Sequence, residues 1–177
     1  FDVLIQYLCT LAVGEGFDAN TILKETHDNQ LFYAYLGANA LENPAPLGFF
    51  RQFLVEQDGA NKDNFDIKRR ALMPLTDAAR VLIISHSVKS ISNTPERFEK
   101  LAELEPANRE LYLACSYSYK TLLKFRTKQG LLHHDSGQFI ELESLTKMEK
   151  IKLKRTFKTI KELQELISVR FNISNLV

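Results

Sequence analysis

Apolar positions recur at helical spacing along most of the chain, and at roughly alternate positions in one stretch of it. Leu31, Tyr35, Leu36, Ala38 and Leu41 predict a helix over 31–41, stopped by Asn43-Pro44-Ala45-Pro46. Four more helices are predicted after it. The first, 72–87, places Leu75, Ala79, Leu82 and Ile83 on one face and tolerates Pro74 in its first turn. The second opens on Asn93-Thr94-Pro95-Glu96, a capping residue with Pro just inside the helix, and carries Phe98, Leu101 and Leu104. The third, about 106–133, has a stripe of Leu111, Ala114, Cys115, Ser118, Leu122, Phe125 and Leu132. The fourth opens on the capping box Thr146-x-x-Glu149 and carries Ile151, the stem of Lys154, Phe157, Ile160, Leu163, Ile167 and Phe171. The last two are each about 38 Å long at the usual rise per residue. Long helices joined by short loops favour an antiparallel bundle.

Two stretches do not fit that pattern. Residues 3–13, VLIQYLCTLAV, read equally as a buried helix or a buried strand, ended by Gly14 and Gly16. Asp18 or Asn20 then caps a short helix with Ile22 and Leu23. The second stretch alternates loosely over Phe49–Glu56 and again over Phe65–Lys68, around a polar loop from Asp58-Gly59 to Asn64. A β-hairpin with a long loop is the preferred reading, and a helix over 47–57 is its rival. The expected fold is therefore all-α, a mostly antiparallel helical bundle with a small β-hairpin or irregular insert near 48–69.

Composition narrows the class. Hydrophobic residues at 45% and charged residues at 25% are globular values, and a net charge of +1 gives no global field for nucleic acid or membrane, so neither is an expected partner. Cys9 and Cys115 stand in no metal or redox spacing and suit a reducing, cytoplasmic setting. Residues 3–13 lack a basic leader and are too short to span a bilayer, and a start at Phe1 reads as a piece of a longer protein. There is no GxGxxG or GxxxxGK loop, no GxSxG elbow, no HExxH, and no Asp-x-Asp pair after a Gly-Ser turn. No catalytic residue and no metal site are assigned. His133-His134-Asp135 reads as a helix end, His27 and His86 as lone histidines, and the lysines from Lys147 to Lys161 as a solvated face. Tyr112, Tyr117 and Tyr119 cannot share one helix face.

The candidate chemistry lies in the irregular stretch. Arg51, Lys62, Lys68, Arg69, Arg70 and Arg80 are interleaved with Asp58, Asp63, Asp66 and Asp77. Converging Lys and Arg suit phosphate, one as a point charge and the other as a bidentate fork. The competing reading is a scaffold in which the acids neutralise the bases, as Asp77 and Arg80 would at i,i+3.

The same residues carry a family resemblance. Pro46-Leu-Gly-Phe-Phe, Asp58-Gly59, Lys62-Asp63-x-x-Asp66-Ile67-Lys68-Arg69-Arg70, Pro74-x-x-Asp77-x-Ala79-Arg80 and Asn93-Thr94-x-x-Arg97 follow in order. Asn29-Gln30-Leu31-Phe32 and Leu153-Lys154-x-x-Phe157-x-x-Ile160 flank them. Together these resemble the nucleotidyltransferase substrate-binding domain of bacterial signal-transduction proteins, over roughly residues 28–166. The resemblance implies a helical domain at 28–177 that completes the site of an upstream nucleotidyltransferase domain, with 1–27 as the link to it. It implies no catalysis by this domain alone. If the full-length protein is active, Mg and a nucleoside triphosphate are its expected cofactors, and a nucleotide or a protein is the acceptor. Arg51, Lys62, Lys68, Arg69 and Arg80 would contact phosphates or an acidic acceptor, and Asp66 and Asp77 would orient them. The alternative role is a regulatory docking module for upstream CBS or cyclic-nucleotide-binding domains. The family usually has His where this chain has Asn61, and residues 3–13 fit its pattern poorly.

Overall fold

In the computed structural model, the structure describes residues 30–45, 55–57, 59, 61–88 and 90–173. The expectations for residues 3–13, for the short helix after Asp18, and for Cys9, His27, Asp58 and the 49–54 arm of the hairpin lie outside them.

Local signals set most helix ends. Helix α1, Gln30–Ala40, stops before the Pro44 turn. That turn is tied to the helix at 147–170 by Gln164, which donates to the Asn43 carbonyl at 2.7 Å and accepts from the Ala45 N–H at 2.8 Å. Strand β1, Asn64–Asp66, leads through Ile67 into a π-turn at Lys68–Leu72 and then helix α2, Met73–Ser85. Helix α3, Thr94–Leu104, is capped by the Asn93 side chain, which accepts from the Glu96 N–H at 3.3 Å. A single 3-10 turn at Pro106–Asn108 leads into the long helix α4, Arg109–His133. Its end is a left-handed cap at His134, φ 55°, matching the helix end expected at His133-His134-Asp135. Strand β2, Phe139–Glu141, and a 3-10 turn at Leu142–Ser144 precede helix α5, Lys147–Arg170. The capping box at its start is complete: Thr146 Oγ1 accepts from the Glu149 N–H, and Glu149 accepts from the Thr146 N–H at 2.9 Å.

The core lies around α2. Leu75, Ala78, Ala79, Val81 and Leu82 of that helix are fully buried, and α2 packs against α1, α3 and α5. Helix α4 packs against α3 on one side and α5 on the other. Phe157 of α5 meets Phe65 of β1 at 5.1 Å between ring centroids, and Phe98 of α3 stacks on Tyr112 of α4 at 6.5 Å. Both pairs are wholly buried. The architecture is the expected all-α bundle with one small sheet.

Two details depart from expectation. The strand at 64–66 pairs antiparallel with β2, Phe65 opposite Ile140, a partner from outside the insert, and the Ile67 N–H extends the pairing to the Gln138 carbonyl at 3.0 Å; its start also pairs within the insert, the Glu56 N–H donating to the Asn64 carbonyl at 2.9 Å, as a hairpin there expects. The buried stripe of α5 runs Leu153, Thr156, Phe157, Ile160, Leu163 and Ile167. Ile151 and Lys154 fall one or two residues off it, about 100–200° round the helix, and are exposed. Leu132, at the last turn of α4, is exposed as well.

Candidate functional site

The charged stretch sits where β1 turns into α2. Asp66 starts that turn. It is 4% exposed, and its Oδ1 accepts from the Arg69 N–H at 2.9 Å, the i,i+3 contact of a helix N-cap. Its Oδ2 accepts from the Gln138 side-chain amide at 2.9 Å, so β2's approach holds the same carboxylate. Pro74 accounts for the π-turn that follows. It has no N–H for the Arg70 carbonyl, and its ring would crowd that carbonyl in a plain α-turn. The wider turn relieves this, and the Met73 N–H reaches back to the Lys68 carbonyl.

Glu56 completes the cluster. Its backbone forms a bulged pair with the start of β1: Glu56 N–H donates to the Asn64 carbonyl, and Asp63 N–H donates to the Glu56 carbonyl, both at 2.9 Å. Asp63 takes the left-handed φ of 65° that such a bulge calls for. From there the Glu56 carboxylate reaches both arginines. Arg69 Nη2 donates to its two oxygens at 2.7 and 2.9 Å, and Arg70 Nε donates to Oε1 at 3.0 Å. Desolvation works to raise the Glu56 pKa, but the hydrogen bonds and charges of Arg70 and Arg69 outweigh it and hold the carboxyl below its usual range.

The expected site residues therefore divide. Asp66 and Arg69 come together, with Arg70. Lys62, in the turn before β1, and Lys68, at the start of the π-turn, are exposed and make no side-chain ion pair among the described residues. Arg80 pairs with Asp77 at 3.3 Å, further along α2, about 15 Å from Arg70 by helical rise. Arg51 lies outside the described residues. Neither Glu56 nor Gln138 was expected as a side-chain partner of these residues, because both reach the turn from outside its helix.

A second polar node went unsuspected. Glu105, just past the end of α3, is ligated from every side: by both Arg170 Nη atoms, by the Tyr112 hydroxyl at 2.7 Å, by Asn108 Nδ2 at 2.9 Å, and by His86 Nε2 at 2.6 Å. Burial would raise its pKa, and the hydrogen bonds from Arg170, His86, Tyr112 and Asn108 outweigh that and drive it well below the carboxylate range. Burial, and then the contact with Glu105, push the Tyr112 phenol up. This node joins the ends of α2, α3 and α5 to the start of α4, and Tyr112 is fully buried in it. Among the described residues no three His, Cys, Asp or Glu side chains gather to hold a metal, and no helix is long and apolar enough to cross a membrane. Cys115 is a buried thiol whose pKa is raised by desolvation and by the charge of Glu162.

The class so defined is an all-α bundle domain whose one irregular turn gathers charge at its surface. Comparison with known families places it: the chain belongs to the family described as "putative nucleotidyltransferase substrate binding domain", whose model matches residues 30–171. Neither the curated proteins nor the solved structures give a match.

Proposed function

We propose that this domain binds the nucleotide or acceptor of a nucleotidyltransferase domain in the same protein and supplies no catalytic residue itself. Family membership carries the reading. The exposed Lys62 and Lys68, one before β1 and one after it, support it as cations open to an anionic ligand. Arg69, Arg80 and Arg51 join them, and Asp66 and Asp77 set the direction of Arg69 and Arg80. Magnesium and a nucleoside triphosphate belong with the catalytic domain. Among the described residues no group of three His, Cys, Asp or Glu side chains gathers here to hold that metal. The setting proposed is the bacterial cytoplasm, in a signalling protein.

The test is a calorimetric titration of Mg–ATP into the whole protein, wild type against Lys62→Ala/Lys68→Ala. Loss of two phosphate contacts lowers affinity about ten-fold. Unchanged affinity would sink the reading. A second reading, a docking module for CBS or cyclic-nucleotide-binding domains, is favoured by one observation: Arg69, Arg70 and Arg80 are each already paired with a carboxylate of this domain. It predicts the opposite pattern, with domain assembly weakened and nucleotide affinity intact.

A further inference from the structure

One carboxylate held by two consecutive arginines is an unusual arrangement for a helix. Neighbouring residues of an α-helix point about 100° apart and do not ordinarily share a partner. Here the wider π-turn carries both arginines, and both donate to Glu56 Oε1, Arg69 at 2.7 Å and Arg70 at 3.0 Å. Turns of this type recur at functional sites. The acceptor is not part of the helix. Glu56 enters from the bulged strand partner, so the two forks are aimed outward at an oxyanion rather than along their own helix. The clamp is wet: the side chains of Arg69, Arg70 and Glu56 are 47%, 22% and 22% exposed. Each guanidinium also keeps its Nη1 without a partner among the described residues.

We infer that Arg69 and Arg70 form a phosphate clamp, and that the Glu56 carboxylate sits in it as a built-in competitor which an incoming phosphate displaces. The fork that reads a carboxylate reads a phosphate equally well, and phosphate brings more charge and a third oxygen for the Nη1 groups. Glu56 can give way because ion pairs that water reaches are weak and are screened by salt. Asp66 does not give way with it. It is buried, and it holds the turn through the Arg69 N–H and Gln138. Lys68, exposed at the first position of the turn, adds a third cation beside the clamp. This inference rests on the reading of the charged face as the substrate-binding face, and adds which groups take the phosphate and what fills them beforehand.

The experiment is a calorimetric titration of inorganic pyrophosphate into the full chain, wild type and Glu56→Gln. The substitution keeps the side chain's shape and removes its charge. Affinity is expected to rise about three- to ten-fold, and the gain to vanish when Arg69→Ala and Arg70→Ala are added. A folded Glu56→Gln protein that binds pyrophosphate no tighter than wild type overturns the inference. Should that variant not fold, the wild type answers alone by NMR. The Arg69 and Arg70 Nε–H resonances and the Glu56 carboxyl carbon move together during the titration, and stationary signals overturn the clamp. The two proposals fail separately. Loss of nucleotide affinity in Lys62→Ala/Lys68→Ala without any response to Glu56→Gln removes the competitor and keeps the function. A pyrophosphate response without nucleotide binding does the reverse.

Discussion

Replacing Glu105 by Gln removes a charge that four other residues surround while leaving a side chain of the same shape. The Glu105 side chain is 12% exposed and that of Arg170 is 24% exposed. Breaking a fully buried pair by removing one partner costs about 3–5 kcal/mol. Water still reaches part of the Arg170 guanidinium, and the Gln oxygen still accepts from Tyr112, so the expected loss is smaller, about 2 kcal/mol. Urea unfolding at pH 7 measures it, with the slope against denaturant unchanged. The pH dependence supplies a second readout. The folded pKa of Glu105 lies below the 4.5 of a free glutamate. Its contribution to stability is therefore fully present above 4.5 and is lost as pH falls below that value toward the folded pKa. Glu56, Glu99 and Glu149 are also held low, but they are common to both proteins and cancel in the difference. The gap between wild type and variant thus narrows as pH falls below about 4.5. Stabilities at pH 7 that agree within about 0.5 kcal/mol, or a gap that widens as pH falls below about 4.5, would refute the reasoning.

Two shorter predictions concern the passage from α4 to α5. Gly137 has φ 62°, and a Cβ there would lie 1.9 Å from the Arg126 carbonyl oxygen, so Gly137→Ala must move backbone and is expected to cost about 2–4 kcal/mol by thermal or urea unfolding; a near-neutral result would mean the loop does not pack this way. Thr146→Ala removes the hydroxyl that accepts from the Glu149 N–H and is expected to cost about 1 kcal/mol. The Glu149 pKa, held down to about 2 chiefly by Lys128 and then by the Thr146 backbone and hydroxyl, should rise in the same variant, which an NMR titration of its carboxyl carbon reads; an unmoved pKa would count against the capping box.

What the sequence made legible was local. Asn93, Thr146 and Pro95 mark their helix starts because a cap needs only neighbours within four residues. The apolar spacing in α2 and α5 pointed to the core because a helix converts sequence interval directly into angle. Contacts between distant segments had no such code. The three residues of β1 carry no periodicity of their own, and β2 lies more than seventy positions on, so only the pairing with the nearby insert, where Glu56 meets Asn64, was expected. Glu105 and Arg170 are 65 positions apart, and nothing in either's neighbourhood marks it for the other. Ile151 shows the limit of periodicity itself: one apolar residue at the edge of a stripe shifts the inferred face by a residue, and only packing against Phe65 through Phe157 fixes it. The charged turn was legible as a cluster, and its internal pairing was not, because Glu56 enters from a strand partner.

That pairing also bears on how the cluster's presence is explained. Ion pairs as exposed as those of Arg69 with Glu56 contribute about 0–1 kcal/mol each. The turn beneath them has stronger reasons to hold: Phe65, Ile67 and Ala71 are fully buried, Leu72 nearly so, and Asp66 caps the turn from inside. Burying side chains the size of Phe65, Ile67 and Leu72 is worth roughly 1.5–3 kcal/mol apiece, so the fold does not need the outward charges to stay folded. Consecutive lysine and arginines on a distorted turn therefore find little explanation in stability. Their removal should leave folding nearly intact, and a binding loss in Lys62→Ala/Lys68→Ala or a binding gain in Glu56→Gln then reports on the ligand rather than on the bundle.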